Sequence, residues 1–262
     1  AHGLALPIYF GNRNWHPLLA DTLAQMRADG IKNALAFVTS AYSSYSSCRQ
    51  YLEDIERARE SVGDDAPRVE KLRPFFNHPG FIEANVENVR AAFAQIPAEH
   101  RDAAQVLFTA HSIPESMANN CDYVLQLEET SRLVAGALGL KQWRLVFQSR
   151  SGSPMQPWLG PDVCDYLREL HDAGTRDVVI APIGFVSDHM EIVYDLATEA
   201  MALCRELGLN MIRAATAGTH PKFIAMIREL IVERIEAGTP RRALGKLGPR
   251  ADVCAAGCCS YV

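Results

Sequence analysis

Residues 104–112, "AQVLFTAHS", decide the fold. The run is apolar and β-prone with almost no alternation, so it reads as a strand buried on both faces. That pattern belongs to parallel sheets covered by helices. "WRLVFQSR" (143–150), "DVVIAPIGFV" (177–186) and "NMIRAAT" (210–216) repeat it. The segments between and after them, 124–139, 160–174, 188–208 and 221–238, carry helical spacing. Upstream, "LPIYFG" (6–11), "NALAFVTSAY" (33–42) and "PRVEKLRPF" (67–75) alternate with helical segments at 16–30, 46–60 and 80–96. Such alternation predicts an α/β chain of two doubly wound, Rossmann-like parallel-sheet halves. The expected boundaries are 1–100 and 101–240, separated around "PAEHRDAA" (97–104), with an irregular cysteine-containing tail over 241–262.

Composition removes several functional classes. Hydrophobic residues make up 48% and charged ones 22% of 262, enough for a sizeable core. A net charge of −5 with no basic stripe argues against a nucleic-acid partner. No apolar run reaches the roughly 18 residues of a membrane span, so no transmembrane segment is expected. Seven cysteines, unevenly spread, do not form a secreted disulfide framework, which makes a reducing cytoplasm the expected compartment. The opening "AHGL" reads as a helix end capped by Gly3, which predicts further chain ahead of Ala1.

In open α/β sheets ligands bind beyond the carboxyl ends of strands. The loops at 39–48, 109–116 and 182–199 are therefore the candidate site, and none carries a Gly-rich phosphate motif. His111 ends a strand, where a neutral imidazole takes a proton or binds a metal; packing or capping is the other reading. Glu191, Asp195 and Glu199 are spaced i, i+4, i+8, one line of carboxylates on a helix. A solvated acidic face and a ladder of oxygen ligands for a divalent cation both fit that row. The tail "DVCAAGCCSYV" (252–262) places Cys254, Cys258 and Cys259 together. In a reducing compartment soft thiolates so grouped suit metal ligation better than a disulfide, a redox-sensitive tail being the other reading.

"LFTAHSIP" (107–114), "QSRSGSPMQPWLGPD" (148–162), "PIGFVSDHMEIVYDLATE" (182–199) and "YFGNRNWHP" (9–17) together resemble the ferrochelatases. More narrowly, they resemble the bacterial type that metallates coproporphyrin III. The likeness implies two α/β halves around a porphyrin cleft, with His111 as the active-site base and Glu191 facing it across the macrocycle. It implies His111, Glu191, Asp195 and Glu199 as the groups that handle the substrate Fe²⁺. Arg13, Asn14, Tyr42, Tyr51 and Ser112 become candidates for porphyrin binding, with Tyr45, Ser149 and Arg150 beside them. The partners implied are the porphyrin, iron and transiently other enzymes of haem synthesis. By the same resemblance a 2Fe–2S cluster takes Cys48, Cys254, Cys258 and Cys259, with Cys121 the rival for the place of Cys48. Cys164 and Cys204 lie within predicted helices and read as core. Protoporphyrin IX as substrate, another tetrapyrrole chelatase and a non-catalytic porphyrin carrier remain open at this point.

Overall fold

A computed structural model describes residues 3–153, 155–255 and 257–260. Along the first part of the chain run α1 (Leu19–Ala28), β1 (Asn33–Ala36), α2 (Gln50–Val62), β2 (Arg68–Lys71) and α3 (Pro79–Phe93). β1 and β2 pair in parallel, Asn33 with Arg68 through Ala36 with Lys71. Then follow β3 (Gln105–His111), α4 (Glu115–Ala118), α5 (Tyr123–Leu138), β4 (Trp143–Gln148), α6 (Val163–Asp172) and β5 (Asp177–Ala181). The series ends with α7 (Met190–Ile192), α8 (Met201–Leu207), β6 (Asn210–Arg213) and α9 (Pro221–Ile235).

β3 to β6 form one parallel sheet in the order β4–β3–β5–β6. Val106 through Ala110 of the central β3 are fully buried, as an unalternating apolar strand requires. From β3 the chain winds to β4 on one side, and from β5 to β6 on the other. The topological switch point thus falls between the carboxyl ends of β3 and β5, where such sheets bind ligands. The hydrophobic core continues across both parts of the chain. Phe75 and Phe81 pack edge to face at 5.6 Å between centroids, and both meet Phe223 of α9 at 5.9 and 6.1 Å.

Two sequence expectations are corrected. "LPIYFG" forms no strand: Leu6, Ile8 and Phe10 are exposed, Ile8 at 94%. Among the described residues no neighbour offers it a ladder, and a strand without hydrogen-bond partners has nothing to hold it. The first part accordingly carries a two-stranded sheet, and only the second is doubly wound. Gly3 has the left-handed φ of 80° expected of a helix cap, while Ala1 and His2 of "AHGL" lie outside the described residues.

Beyond α9 the tail runs back over the first part as a strap. Asn77 donates to the carbonyls of Leu244 (3.2 Å) and Gly248 (2.8 Å), and Leu244 N–H donates to Asn77 O at 2.9 Å. Beneath it Arg73, almost completely buried, makes a two-pronged pair with Glu233, 2.8 Å at each contact, and donates to the Arg242 carbonyl. Asp252 pairs with Arg234 and Arg241 at 3.1 and 3.2 Å, and Arg250 with Asp122 at 2.8 Å. These contacts bring the tail cysteines to the neighbourhood of Cys48.

Candidate active site

A cleft of about 820 Å³ opens at the switch point, a volume suited to a single organic ligand. His111 reaches it from the end of β3 and Glu191 from the first turn of α7. His111 Nε2 lies 3.2 Å from Glu191 Oε1. His111 Nδ1 contacts the Ser112 carbonyl oxygen, which only accepts, so Nδ1 carries a proton. Nε2, the remaining ring nitrogen, therefore faces the Glu191 carboxylate in the cleft. Both are partly open to solvent, with side-chain exposures of 35% and 44%, so the pair is reachable by a ligand.

Several bonds fix this geometry. Tyr123 donates its hydroxyl to the His111 carbonyl at 3.0 Å, Ser112 N–H to Gln148 O at 2.8 Å, and Ser112 Oγ to Leu159 O at 2.7 Å. On the opposite loop Gly184 N–H donates to Thr109 O at 3.0 Å. A Cβ on Gly184 would sit 2.5 Å from Ala110 Cβ, so only glycine lets the loop lie against β3. Asp188 is clamped by Arg213 at 3.0 and 2.7 Å, and that hydrogen-bonded guanidinium holds its carboxyl below the usual range. Sequence reading missed Arg213, as well as Trp158, Phe185 and His189, which line the cleft. The Trp in "QPWLGP" and the His before Met190 were available signals.

Asp195 and Glu199 follow Glu191 along the helix, but residues 193–200 are π-helical rather than α-helical. The same holds for 45–49, the entry to α2. Hydrophobic spacing cannot tell the two helix types apart over so few residues, whereas π turns often mark functional sites. Ser44 Oγ accepts from Ser47 N–H at 3.1 Å and Ser47 Oγ donates to Tyr42 O at 2.8 Å, so serine hydroxyls shape the 45–49 turn. Asp195 accepts from Gln148 Nε2 at 3.2 Å and from Ser149 Oγ. Glu199 is exposed.

Arg13, Asn14, Tyr42, Tyr51 and Ser112 all line the cleft. Arg13 is already engaged: Nε meets Asp54 at 2.5 Å and its guanidinium lies 4.5 Å over the Tyr51 ring. Tyr42 is buried and donates its hydroxyl to Ile183 O at 3.0 Å, fixing the wall rather than projecting from it. Tyr45 Oη donates to Glu53 at 3.1 Å, and Arg150 donates weakly to Gln156 O at 3.4 Å.

The cysteines sort into two groups. Burial pushes the Cys164 and Cys204 thiols up to about 11; Cys204 is a core residue as expected, whereas Cys164 is only partly buried against that core. Cys48 and Cys254 are neighbours, and their interaction raises the Cys48 thiol and lowers that of Cys254. Cys258 and Cys259 lie 3.6 Å apart at sulfur. Cys121 is close enough to both to feel their charge, and burial raises its thiol. Among the described residues no three such groups converge as one metal ion would need.

A profile of the ferrochelatase family matches residues 1–235. A protein of Rhodopirellula baltica named ferrochelatase is 58% identical over 262 residues, covering all of this chain and 74% of that one. A coproporphyrin III ferrochelatase of Streptomyces coelicolor is 49% identical over 282 residues, covering 98% and 75%. Among solved structures, SirB from Bacillus subtilis with Fe³⁺ superposes with a TM-score of 0.63 at 15% identity, over 90% of this chain and 86% of that one. That likeness bears on the fold. No helix among the described residues is long and apolar enough to cross a membrane.

Proposed function

Because the chain belongs to the ferrochelatase family, and so inserts ferrous iron into a porphyrin, we propose that its porphyrin is coproporphyrin III and that His111 and Glu191 carry the chemistry. The observation that carries the reading is the 3.2 Å contact of His111 Nε2 with Glu191 Oε1 inside the cleft. Metallation must remove two pyrrole N–H protons and strip water from the iron. With Nδ1 held on the Ser112 carbonyl, Nε2 is the basic atom that receives a pyrrole proton. Glu191 stabilises the imidazolium that results and relays its proton outward to solvent, which frees Nε2 to take the second pyrrole proton in turn. Asp195 and Glu199, one and two steps further along the helix, offer carboxylate oxygens that replace the hydration shell of Fe²⁺ in turn.

Coproporphyrin III carries four carboxylates where protoporphyrin IX carries two. On the wall next to Arg13, Ser40 and Ser46 supply hydroxyl donors that suit extra propionates better than vinyl groups, while Ser44 and Ser47 spend theirs on shaping the turn. The Streptomyces relative bears the same substrate in its name. Anaerobic Fe²⁺ insertion measured on both porphyrins tests this choice: a higher kcat/KM on coproporphyrin III is expected, and equal or reversed values would refute it.

The thiols fit a 2Fe–2S centre by donor chemistry, since such a centre takes two thiolates at each iron and Cys48–Cys254 and Cys258–Cys259 are neighbouring pairs. These four residues would hold it, with Cys121 adjacent. When bound, the centre supplies one-electron redox chemistry. The chain's own contribution is to tie the tail to the π turn that borders the cleft. Iron and sulfide analysis of anaerobically purified protein tests the reading: about two of each per chain is expected, and neither would refute it.

A further inference from the structure

Among the described residues, two that are not glycine adopt left-handed backbone: Ser149 at φ 60° and Cys259 at φ 53°. An L side chain enters that region only when its surroundings hold it there, and such outliers gather at functional sites. Glycine would take the Ser149 conformation without strain but would bring no hydroxyl. The hydroxyl has a use, because Ser149 Oγ donates to Asp195 Oδ2. Gln148, buried to 1% exposure, donates Nε2 to the same oxygen at 3.2 Å.

The amide orientation is forced, since an ionised carboxylate only accepts and so must meet nitrogen. This leaves Gln148 Oε1 buried with no partner, a cost the fold tolerates where it keeps the amide turned to Asp195. Gln148 is also the register partner of His111 across β3 and β4, and its carbonyl accepts from Ser112 N–H. The corner at the end of β4 therefore touches the histidine's strand through its backbone and the acid's helix through its side chains. A carboxylate has about four lone-pair sites, and two donors on one oxygen leave room for a cation.

We propose that Gln148 and Ser149 form a preset clamp that positions Asp195 to receive Fe²⁺ on its way to the His111–Glu191 pair. This rests on the reading of Glu191, Asp195 and Glu199 as the iron path. Ser149 and Gln148 do not line the cleft and act through Asp195, so they are positioning residues, and Ser149 is not the porphyrin contact the sequence suggested.

Ser149→Gly separates the clamp from folding, because glycine relieves the backbone while removing the donor. The expected result is an unchanged or higher Tm, a KM for Fe²⁺ raised about threefold or more, and an unchanged KM for porphyrin. Gln148→Met is expected to raise the iron KM in the same way. Ser149→Asn, which tolerates left-handed backbone and keeps a donor, is expected to retain most of the wild-type iron KM. Asp195→Asn should raise the iron KM, and adding Ser149→Gly to it should change nothing further. If Asp195→Asn impairs iron use while Ser149→Gly does not, the clamp is overturned and the path stands. If Asp195→Asn leaves the iron KM at the wild-type value, the path itself fails.

Discussion

Replacing His78 with Asn should change how the stability of this protein depends on pH. His78 is fully buried beneath the strap, and its Nδ1 accepts from Gly80 N–H at 3.2 Å, capping α3. Its Nε2 lies 3.4 Å from Glu229 and 4.0 Å from Glu233, neither close enough in alignment to count as a hydrogen bond. Burial, and then the charges of Arg73 and Arg242, push its pKa down to about 3. Unfolded, the group titrates near 6.5. The stability tied to the neutral imidazole is thus complete above pH 6.5 and is lost as pH falls toward the folded value. At pH 4.5 the unfolded chain binds the proton and the folded one does not. Two pH units at 1.36 kcal/mol each give a loss of about 2.7 kcal/mol. Asn keeps an N-cap acceptor but cannot titrate, and its smaller volume costs about 1–2 kcal/mol at any pH. Urea unfolding of both proteins at pH 7.5 and 4.5 measures the difference. Wild type should lead at pH 7.5, and the gap should shrink or reverse at pH 4.5. A gap of the same size at both values would refute the argument, because it would mean that His78 charges as readily folded as unfolded.

Other consequences can be read with simpler measurements. Arg73→Ala strands the buried Glu233 carboxylate and should cost about 3–5 kcal/mol in urea unfolding, whereas Arg73→Met with Glu233→Leu should recover most of that. Gly184→Ala forces the loop off β3 and should cost about 1–3 kcal/mol, with a fall in iron insertion larger than the fall in porphyrin binding. Cys164 and Cys204, with thiols pushed up to about 11, should resist alkylation at pH 7.5 in the folded protein and react once it is unfolded, as read by peptide mass spectrometry.

Long-range pairing separates what was legible in the sequence from what was not. The unalternating runs at 104–112 and 177–186 gave away a parallel sheet, since burial on both faces leaves no polar side to alternate with. "LPIYFG" carries the same apolar character and forms no strand, because pattern reports the tendency of a segment and says nothing of whether a partner lies beside it. The π turns at 45–49 and 193–200 escaped for a related reason, as they differ from α turns by one residue in the hydrogen-bond step. His111 and Glu191 could be singled out as strand-end and helix-start residues, yet their 3.2 Å approach depends on the strand order β3–β5, which lies outside any local window. Arg213, and the hold of Gln148 and Ser149 on Asp195 in place of the porphyrin contact suggested for Ser149, were illegible for the same cause. Each acts through a contact with a residue 25 to 47 positions away.

Single-turnover insertion of Fe²⁺ by His111→Ala, with porphyrin binding followed separately by fluorescence, tests most directly whether the imidazole and its carboxylate remove the pyrrole protons. A rate lower by about 100-fold or more, with porphyrin still bound, is the predicted result. Metallation at the wild-type rate would contradict the assignment.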